Sequence, residues 1–247
     1  MSLLPAVHLR HTAPDPRSRA RQAVALRRAA SGVWFGLPTL LVAGVAITAA
    51  VGAPLAVGGG LTPWTLLVIA VLAGPLVLAT AATANQLVVS TETGVSAWFI
   101  DVRTLAGRGV RVWLTPAIPG CLLLFAWFVL GRTGSATAVI SAAVCAVVTA
   151  ITITGALAAS VVWPARPELS WAQVWLTAGH LAARWPVRFL APMCLLGLGL
   201  WAGLSVTGTL LVLVPGPVLM LTAAAFWSSA VEYGASELDS EPERNHL

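Results

Sequence analysis

Polar residues whose types could do chemistry form two stripes inside an otherwise apolar sequence. The first stripe repeats at spacings of four, three and four residues, which places its members on one helix face: Gln173, Thr177, His180 and Arg184. The second stripe comprises Asp101, Thr104, Arg108 and Arg111. Amide, imidazole and guanidinium groups in one row can form hydrogen bonds and ion pairs with a partner, and a histidine can also act as a base or metal ligand.

A catalytic or metal centre needs convergent groups, and the sequence does not gather them. A zinc site takes three or four ligands, whereas the histidines other than His180 lie within the first eleven and the last two residues. The motifs G-x-S-x-G, G-x-G-x-x-G and the P-loop do not occur. Asp101 and Glu168 lie near arginines with which they can pair. We therefore predict no enzyme activity and no catalytic, cofactor or metal residues.

The elements that must position these stripes are membrane spans. The 247-residue chain is 58% hydrophobic and only 9% charged, whereas soluble domains carry about 25% charged residues. Runs of about 20 apolar residues can cross a bilayer as helices. Six such runs occur: Val33–Val57, Thr62–Val89, Trp113–Leu130, Ala136–Trp163, Val187–Ser205 and Thr209–Val231. The fold class predicted is an all-α membrane protein with six transmembrane helices.

The arginines set the expected orientation. Of 14 basic residues, 13 fall in the segment before the first span, in the two longer loops with the entry of the fifth span, or in the C-terminal segment: Arg10, Arg17, Arg19, Arg21, Arg27, Arg28, Arg103, Arg108, Arg111, Arg166, Arg184, Arg188 and Arg244. Only Arg132 lies in a loop on the other side. Because basic loops stay in the cytoplasm, we predict a multi-pass protein of the inner (cytoplasmic) membrane with both termini cytoplasmic.

The chain divides by composition into three parts. Residues 1–31 form a basic cytoplasmic leader, residues 32–233 the six-span membrane domain, and residues 234–247 an acidic cytoplasmic tail. Residues 62–130 and 136–205 are candidate internal repeats, since Arg108 matches Arg184 and Pro116 matches Pro192 at an offset of 76. Each candidate repeat has a span, an amphipathic segment and a span entered through a proline.

Both amphipathic segments are predicted to be helices in the cytoplasmic interface. Tryptophan suits that depth because its ring is apolar and its N–H reaches water. The interfacial anchors expected are Trp98, Trp171, Trp175 and Trp185. Two interpretations of the polar stripes stay open: they cover elbows lying on lipid, or they form a docking surface for a partner. The partners expected are the lipid bilayer, subunits of an ATP-driven importer or a second copy of this chain, and no nucleic acid.

Inside the spans, small and polar residues suggest how the helices pack. Gly199 and Gly203 are spaced four residues apart, which allows close helix approach. A separate group of polar residues maps to the cytoplasmic ends of two spans, where it could line an inner vestibule or reach the headgroups: Asn85, Gln86, Ser228, Ser229 and Glu232.

Several segments of the sequence resemble two kinds of membrane protein. Gly179 followed by Pro192 is similar to the coupling loop of ATP-driven importer permeases, although the Glu-Ala-Ala start of that loop is absent. The loop openings SAWFIDV and SWAQVW, the entry RWPVRFLAP and the basic leader resemble the YesL-like family of bacterial membrane proteins over about residues 30–233. That resemblance implies a non-enzymatic accessory component of solute transport, with carbohydrate as a candidate solute. The alternatives are a divergent permease subunit or small-solute carrier, and a membrane enzyme acting on a lipid-linked substrate.

Overall fold

The described part of the chain is built from helices. The computed structural model describes residues 27, 30–89 and 94–232, and within these ranges it contains helices and no strand. The helices are α1 (Leu37–Val57), α2 (Pro63–Val89), α3 (Val95–Thr133), α4 (Ala136–Ala165), α5 (Trp171–Arg184), α6 (Pro186–Ser205), α7 (Leu210–Leu213) and α8 (Pro215–Glu232). Most of the leader, the whole acidic tail and residues 90–93 lie outside the described residues.

Six helical segments are long and apolar enough to cross a membrane. They are α1, α2, α3, α4, α6 and the segment Leu210–Ala230, which joins α7 to α8. Residues 30–35 are also helical and precede α1 through Gly36, so the first helical region covers the predicted run. The prediction of an all-α membrane protein with six spanning helices is confirmed.

The third span differs from its prediction because α3 begins at Val95, well before Trp113. At 1.5 Å per residue its 39 residues extend about 58 Å, about twice the thickness of a hydrocarbon core. The helix runs antiparallel to α2. The thiol of Cys121 lies 3.3 Å from the Pro63 carbonyl oxygen, and the indole of Trp98 donates to Thr80 Oγ1 at 3.1 Å.

The first amphipathic segment is therefore not a separate interfacial helix, and that part of the prediction is wrong. A difference at one residue explains why only the second amphipathic segment forms a helix of its own. Trp185 precedes Pro186 and leaves the helical region at φ −126°, ψ 62°, because proline disfavours helical backbone in the residue before it. At an offset of 76, Val110 stands in place of Pro186, and α3 continues without a break.

The prolines expected to begin two spans lie inside helices instead. Pro116 and Pro119 are interior to α3, and Pro192 is interior to α6. Such prolines are tolerated in membrane helices where neighbouring helices support the freed carbonyls. Pro63, Pro186 and Pro215 are the first residues of their helices, at the position where a missing N–H costs nothing.

The tightest packing lies at one end of the bundle, called here the Arg-rich end. It comprises the last turns of α2, α4 and α8, the whole of α5 and the first turn of α6, with Arg108, Arg166, Arg184 and Arg188 around it. The core there is closed by the following buried side chains: Ala81, Ala84, Leu87, Val88, Val161, Val162, Trp163, Val174, Ala178, Leu181, Phe189, Phe226 and Trp227.

Towards the other end, α3 and α4 turn large apolar side chains outward. The exposed residues there are Ile118, Leu122, Phe125, Phe128, Val139, Ile140, Val144 and Ile151. A patch of this size on a soluble protein would mark a binding surface. On spanning helices it is the surface expected to meet lipid, and on α3 it falls within residues 112–131, which carry no charge.

Two glycines expected at a helix contact lie in one. A Cβ placed on Gly199 would meet the side chain of Val214, and one on Gly203 would meet Leu211. Both glycines therefore bring α6 close to the α7–α8 segment. At the Arg-rich end of the same helix pair, the Arg188 guanidinium donates to Ser229 Oγ at 3.3 Å.

Candidate functional site

Local sequence signals determine where helix α5 begins and ends. Ser170 caps the N-terminus by accepting from the Gln173 backbone N–H, and the Gln173 side chain accepts from the Ser170 N–H at 2.9 Å. This reciprocal capping box satisfies two donors that a helix start otherwise leaves unpaired. Arg184 lies in the last turn, where a cation is favoured by the helix dipole. The Trp185–Pro186 pair then ends the helix.

The inner face of α5 is fixed to the bundle. Val174, Ala178 and Leu181 are buried in the core, and their spacing of four and three residues makes one helical face. The ring of Trp175 lies against Gly155 of α4, where a Cβ would collide with it. Apolar contacts therefore hold helix α5 against α4.

The outer face of α5 mixes polar and apolar groups. Gln173, His180 and Arg184 are exposed as the stripe requires, and Thr177 is half-buried beside them. Leu176 lies on the same side with 74% of its surface exposed. The space beside Gly179 is open, because no atom lies within 4 Å of a Cβ built there. The outer face of α5 therefore combines hydrogen-bonding groups with one exposed leucine.

The joint between α5 and α6 carries two stacked cations. Arg184 and Arg188 lie 5.3 and 5.5 Å from the ring centroid of Trp185. Cation–π contacts of this length are favourable, so the two guanidinium groups are held near one indole. Trp185 is half-buried, and its ring contacts both guanidinium groups.

The second stripe lies on α3 and does not merge with the first. Arg111 is exposed, whereas Asp101 and Arg108 are half-buried. Asp101 Oδ2 is buried with no hydrogen-bond partner among the described residues. Arg108 reaches across to the residues after α4, where a guanidinium N–H lies 3.4 Å from the Pro167 carbonyl oxygen. Through that segment, which leads into α5 at Ser170, the two stripes adjoin.

The four predicted tryptophan anchors have different environments. Trp98 is only 1% exposed, and its N–H bonds to Thr80 of α2, so it joins two helices and the prediction that it anchors in the interface is wrong. Trp171 is 44% exposed and lies 6.3 Å from the Trp175 ring. Trp175 itself is half-buried against α4. Of the four, only Trp171 presents a large exposed surface.

Three of the five polar residues near the span ends form hydrogen bonds within or between helices. Asn85 donates from Nδ2 to the Val161 carbonyl oxygen at 2.9 Å and accepts from Trp227 Nε1 at 3.0 Å. Ser228 and Ser229 are buried and donate to the Ala225 carbonyl oxygen. Neither the vestibule nor the headgroup interpretation describes these three residues. Gln86 is exposed, and the side chain of Glu232 lies outside the described residues.

The sequence does not predict the long-range hydrogen bonds of Asn85. Its partners are 76 and 142 residues away, and they join α2, α4 and α8 inside the core. The available signal was the polar pair Asn85-Gln86 within an apolar run, because a buried amide must find hydrogen-bond partners. What it could not reveal is which helix supplies them.

The described residues show no arrangement for metal chemistry. No three His, Cys, Asp or Glu side chains come together in this part of the chain. The three cysteines are free, and Glu168 lies 4.0 Å from Arg166 in an exposed ion pair. What the arrangement offers is recognition: hydrogen bonding, charge and apolar contact along α5. No protein-family model, curated protein or solved structure matches this chain.

Proposed function

We propose that this chain is a non-enzymatic, multi-pass protein of the cytoplasmic membrane that assists solute transport by docking a partner on α5. The observation that carries the proposal is the division of α5 into a buried apolar face and an exposed mixed face. A helix resting on lipid turns its apolar face into the bilayer. Here that face, with Val174 and Leu181, is already buried in the bundle. The face left outward suits a protein surface better than lipid.

The kind of partner follows from resemblance and position. The stretch from Ser170 to Pro192 is similar to a permease coupling loop in its Gly–Pro spacing, and the chain resembles YesL-like proteins. Both resemblances favour a subunit of an ATP-driven importer, with carbohydrate as the candidate solute. The 13-to-1 distribution of arginines supports placing α5 at the cytoplasmic side, where such an ATPase or permease loop is available.

The alternatives have weaker support from the same contacts. A carrier in its own right needs polar groups along a path, but Asn85, Ser228 and Ser229 are engaged between or within helices. An enzyme acting on lipid-linked substrates would use convergent carboxylates. Asp101 lies on α3, whereas Glu168 follows α4 and pairs with Arg166.

Charge reversal on the stripe tests the docking proposal. In the triple variant Gln173→Glu, His180→Glu, Arg184→Glu, we expect co-purification of importer subunits from native membranes to fall at least tenfold. An unpaired or like charge in a desolvated interface costs roughly 2–5 kcal/mol. Thermal stability in detergent should fall only modestly. Exposed substitutions usually cost within about 0.5 kcal/mol each, Arg184→Glu also loses a helix-dipole interaction of about 0.3–1 kcal/mol, and Gln173→Glu preserves the capping box.

The matched control is Arg103→Glu, a charge reversal at an exposed residue of α3. It should leave co-purification intact. Undiminished recovery of the same importer subunits by the triple variant would contradict docking on α5. Failure of the triple variant to insert would mean that the stripe faces the bundle, against the exposed positions described above.

A further inference from the structure

We propose that α3 and α4 together hold one acidic phospholipid, with its phosphate at a headgroup site formed by Arg108, Arg111 and Trp163. Its acyl chains lie along the exposed apolar face of α3. The proposal is independent of docking on α5, because none of these residues belongs to that helix. It is also independent of which leaflet meets the Arg-rich end.

The guanidinium of Arg108 is held in place by α4 and the residues after it. It lies 5.5 Å from the ring centroid of Trp163, and one N–H lies 3.4 Å from the Pro167 carbonyl oxygen. A guanidinium has five N–H donors in a planar fork that matches phosphate oxygens. One contact to a carbonyl leaves most of that fork for a ligand, and the stacked ring keeps it oriented.

Donors outnumber acceptors around this group. Arg111 lies one helical turn from Arg108 on α3 and is exposed. Trp163 is 4% exposed, and its Nε1 has no hydrogen-bond acceptor in the described part of the chain. Glu168 already lies 4.0 Å from Arg166, and Asp101 lies seven residues before Arg108, about 10 Å along α3. A cluster of donors with so little acceptor capacity is complemented by an oxyanion such as phosphate.

The surface beyond Arg111 identifies the anion as a lipid. From Arg111, intervals of seven, four and three residues lead along one face of α3 to Ile118, Leu122 and Phe125, which are 61%, 57% and 63% exposed. Arg111 and Leu122 are about 16 Å apart along the helix, close to half of the roughly 30 Å hydrocarbon core. One face thus offers charge and then apolar surface in the order found in a phospholipid.

A groove between α3 and α4 continues this apolar face. It has a volume of about 390 Å³ and begins at Leu122 and Cys145. Its lining is mostly apolar and includes Phe125, Ala126 and Val129. The groove also takes in Thr133 and Ser135 at the far end of α3, so it lies in the half of the span away from Arg111, and only the end of an acyl chain bound at Arg111 would reach it.

The charge of the site favours an acidic lipid over a zwitterionic one. Phosphatidylcholine would bring a quaternary ammonium group next to two arginines, whereas phosphatidylglycerol brings a net negative charge without a cation. Each arginine near an anionic membrane surface contributes about 1 kcal/mol. Two such residues correspond to roughly 30-fold in affinity, since 1.4 kcal/mol is a factor of ten.

Native mass spectrometry of the purified full chain in detergent tests the proposal, with phosphatidylglycerol, phosphatidylcholine and inorganic phosphate as separate probes. We expect phosphatidylglycerol to bind at least tenfold more tightly than phosphatidylcholine. Arg108→Gln with Arg111→Gln should weaken phosphatidylglycerol binding roughly 30-fold. The matched control is Arg132→Gln, at the other end of α3, where the guanidinium lies 5.0 Å from the Phe128 ring centroid. The Arg132→Gln variant should bind phosphatidylglycerol as tightly as the unaltered protein does.

Three results would overturn the proposal. Equal phosphatidylglycerol binding by the double variant and the unaltered protein removes the site. An equal loss with Arg132→Gln reduces it to general attraction by charge. Millimolar inorganic phosphate that displaces the lipid shows a soluble-anion site instead. If the double variant fails to fold, the single variant Arg111→Gln replaces it, because Arg111 is exposed. Its affinity for phosphatidylglycerol should fall at least fivefold. An unchanged affinity would contradict the proposal.

Discussion

Asn85→Leu is expected to destabilise the bundle by roughly 2–4 kcal/mol. The substitution removes the hydrogen bond to the Val161 carbonyl and leaves the buried Trp227 Nε1 without an acceptor. A buried polar group left unsatisfied costs about 1–3 kcal/mol, and helix–helix hydrogen bonds in membranes contribute up to about 2 kcal/mol each. Reversible unfolding in mixed SDS micelles measures the change in the free energy of unfolding.

A double-mutant cycle separates the hydrogen bond from simple loss of packing. Trp227→Phe removes the donor, so combining it with Asn85→Leu should cost about 1 kcal/mol less than the sum of the two single changes. Thr154→Val is the control, because Thr154 bonds only to the Ala150 carbonyl of its own helix. Additive effects of Asn85→Leu and Trp227→Phe would show that the two side chains are not coupled.

Gly109→Ala is expected to separate α2 from α3 and to destabilise the protein by roughly 2–3 kcal/mol. A Cβ at Gly109 would lie 2.6 Å from the Gly74 carbonyl oxygen, and a Cβ at Gly74 would lie 2.7 Å from the Gly109 carbonyl oxygen. The obstacle is backbone on both sides, so no side-chain rotation relieves it. Overpacking of this kind costs about 1–3 kcal/mol, and the same unfolding measurement detects it.

Gly107→Ala is the matched control two residues away on the same helix. No atom lies within 4 Å of a Cβ built on Gly107, and replacing glycine by alanine inside a helix gains about 0.5–1 kcal/mol. We therefore expect Gly107→Ala to be neutral or stabilising. If Gly109→Ala behaved in the same way, the close crossing of α2 and α3 would be wrong.

The spans could be predicted from the sequence because the length of an apolar run is a local property. A run of about 20 apolar residues has few alternatives to a spanning helix, and five of the six predicted runs coincide with observed helices to within a few residues. The exception is informative. Helix α3 continues through the predicted break because Val110 stands where Pro186 follows α5, and the hydropathy of a run does not register that difference.

The site could be predicted in part, for a related reason. Helical periodicity correctly groups Gln173, His180 and Arg184 on one exposed face. It does not tell whether the opposite face meets lipid or protein, and for this reason it predicts an interfacial Trp98 although that side chain lies between α2 and α3. The glycines of the sequence GRG at residues 107–109 were a usable signal of close helix approach, but only one of them makes the contact.

We propose that a six-span bundle presents α5 to the cytoplasm, and reporter fusions that distinguish the two sides of the membrane test this arrangement most directly. We expect fusions after Gly59 and Gly134 to report the outside and fusions after Thr93 and Pro167 to report the cytoplasm. This pattern follows from the 13-to-1 distribution of arginines and from the six spanning segments. A cytoplasmic signal after Gly134, or an external signal after Pro167, would contradict the six-span arrangement and with it the placement of α5.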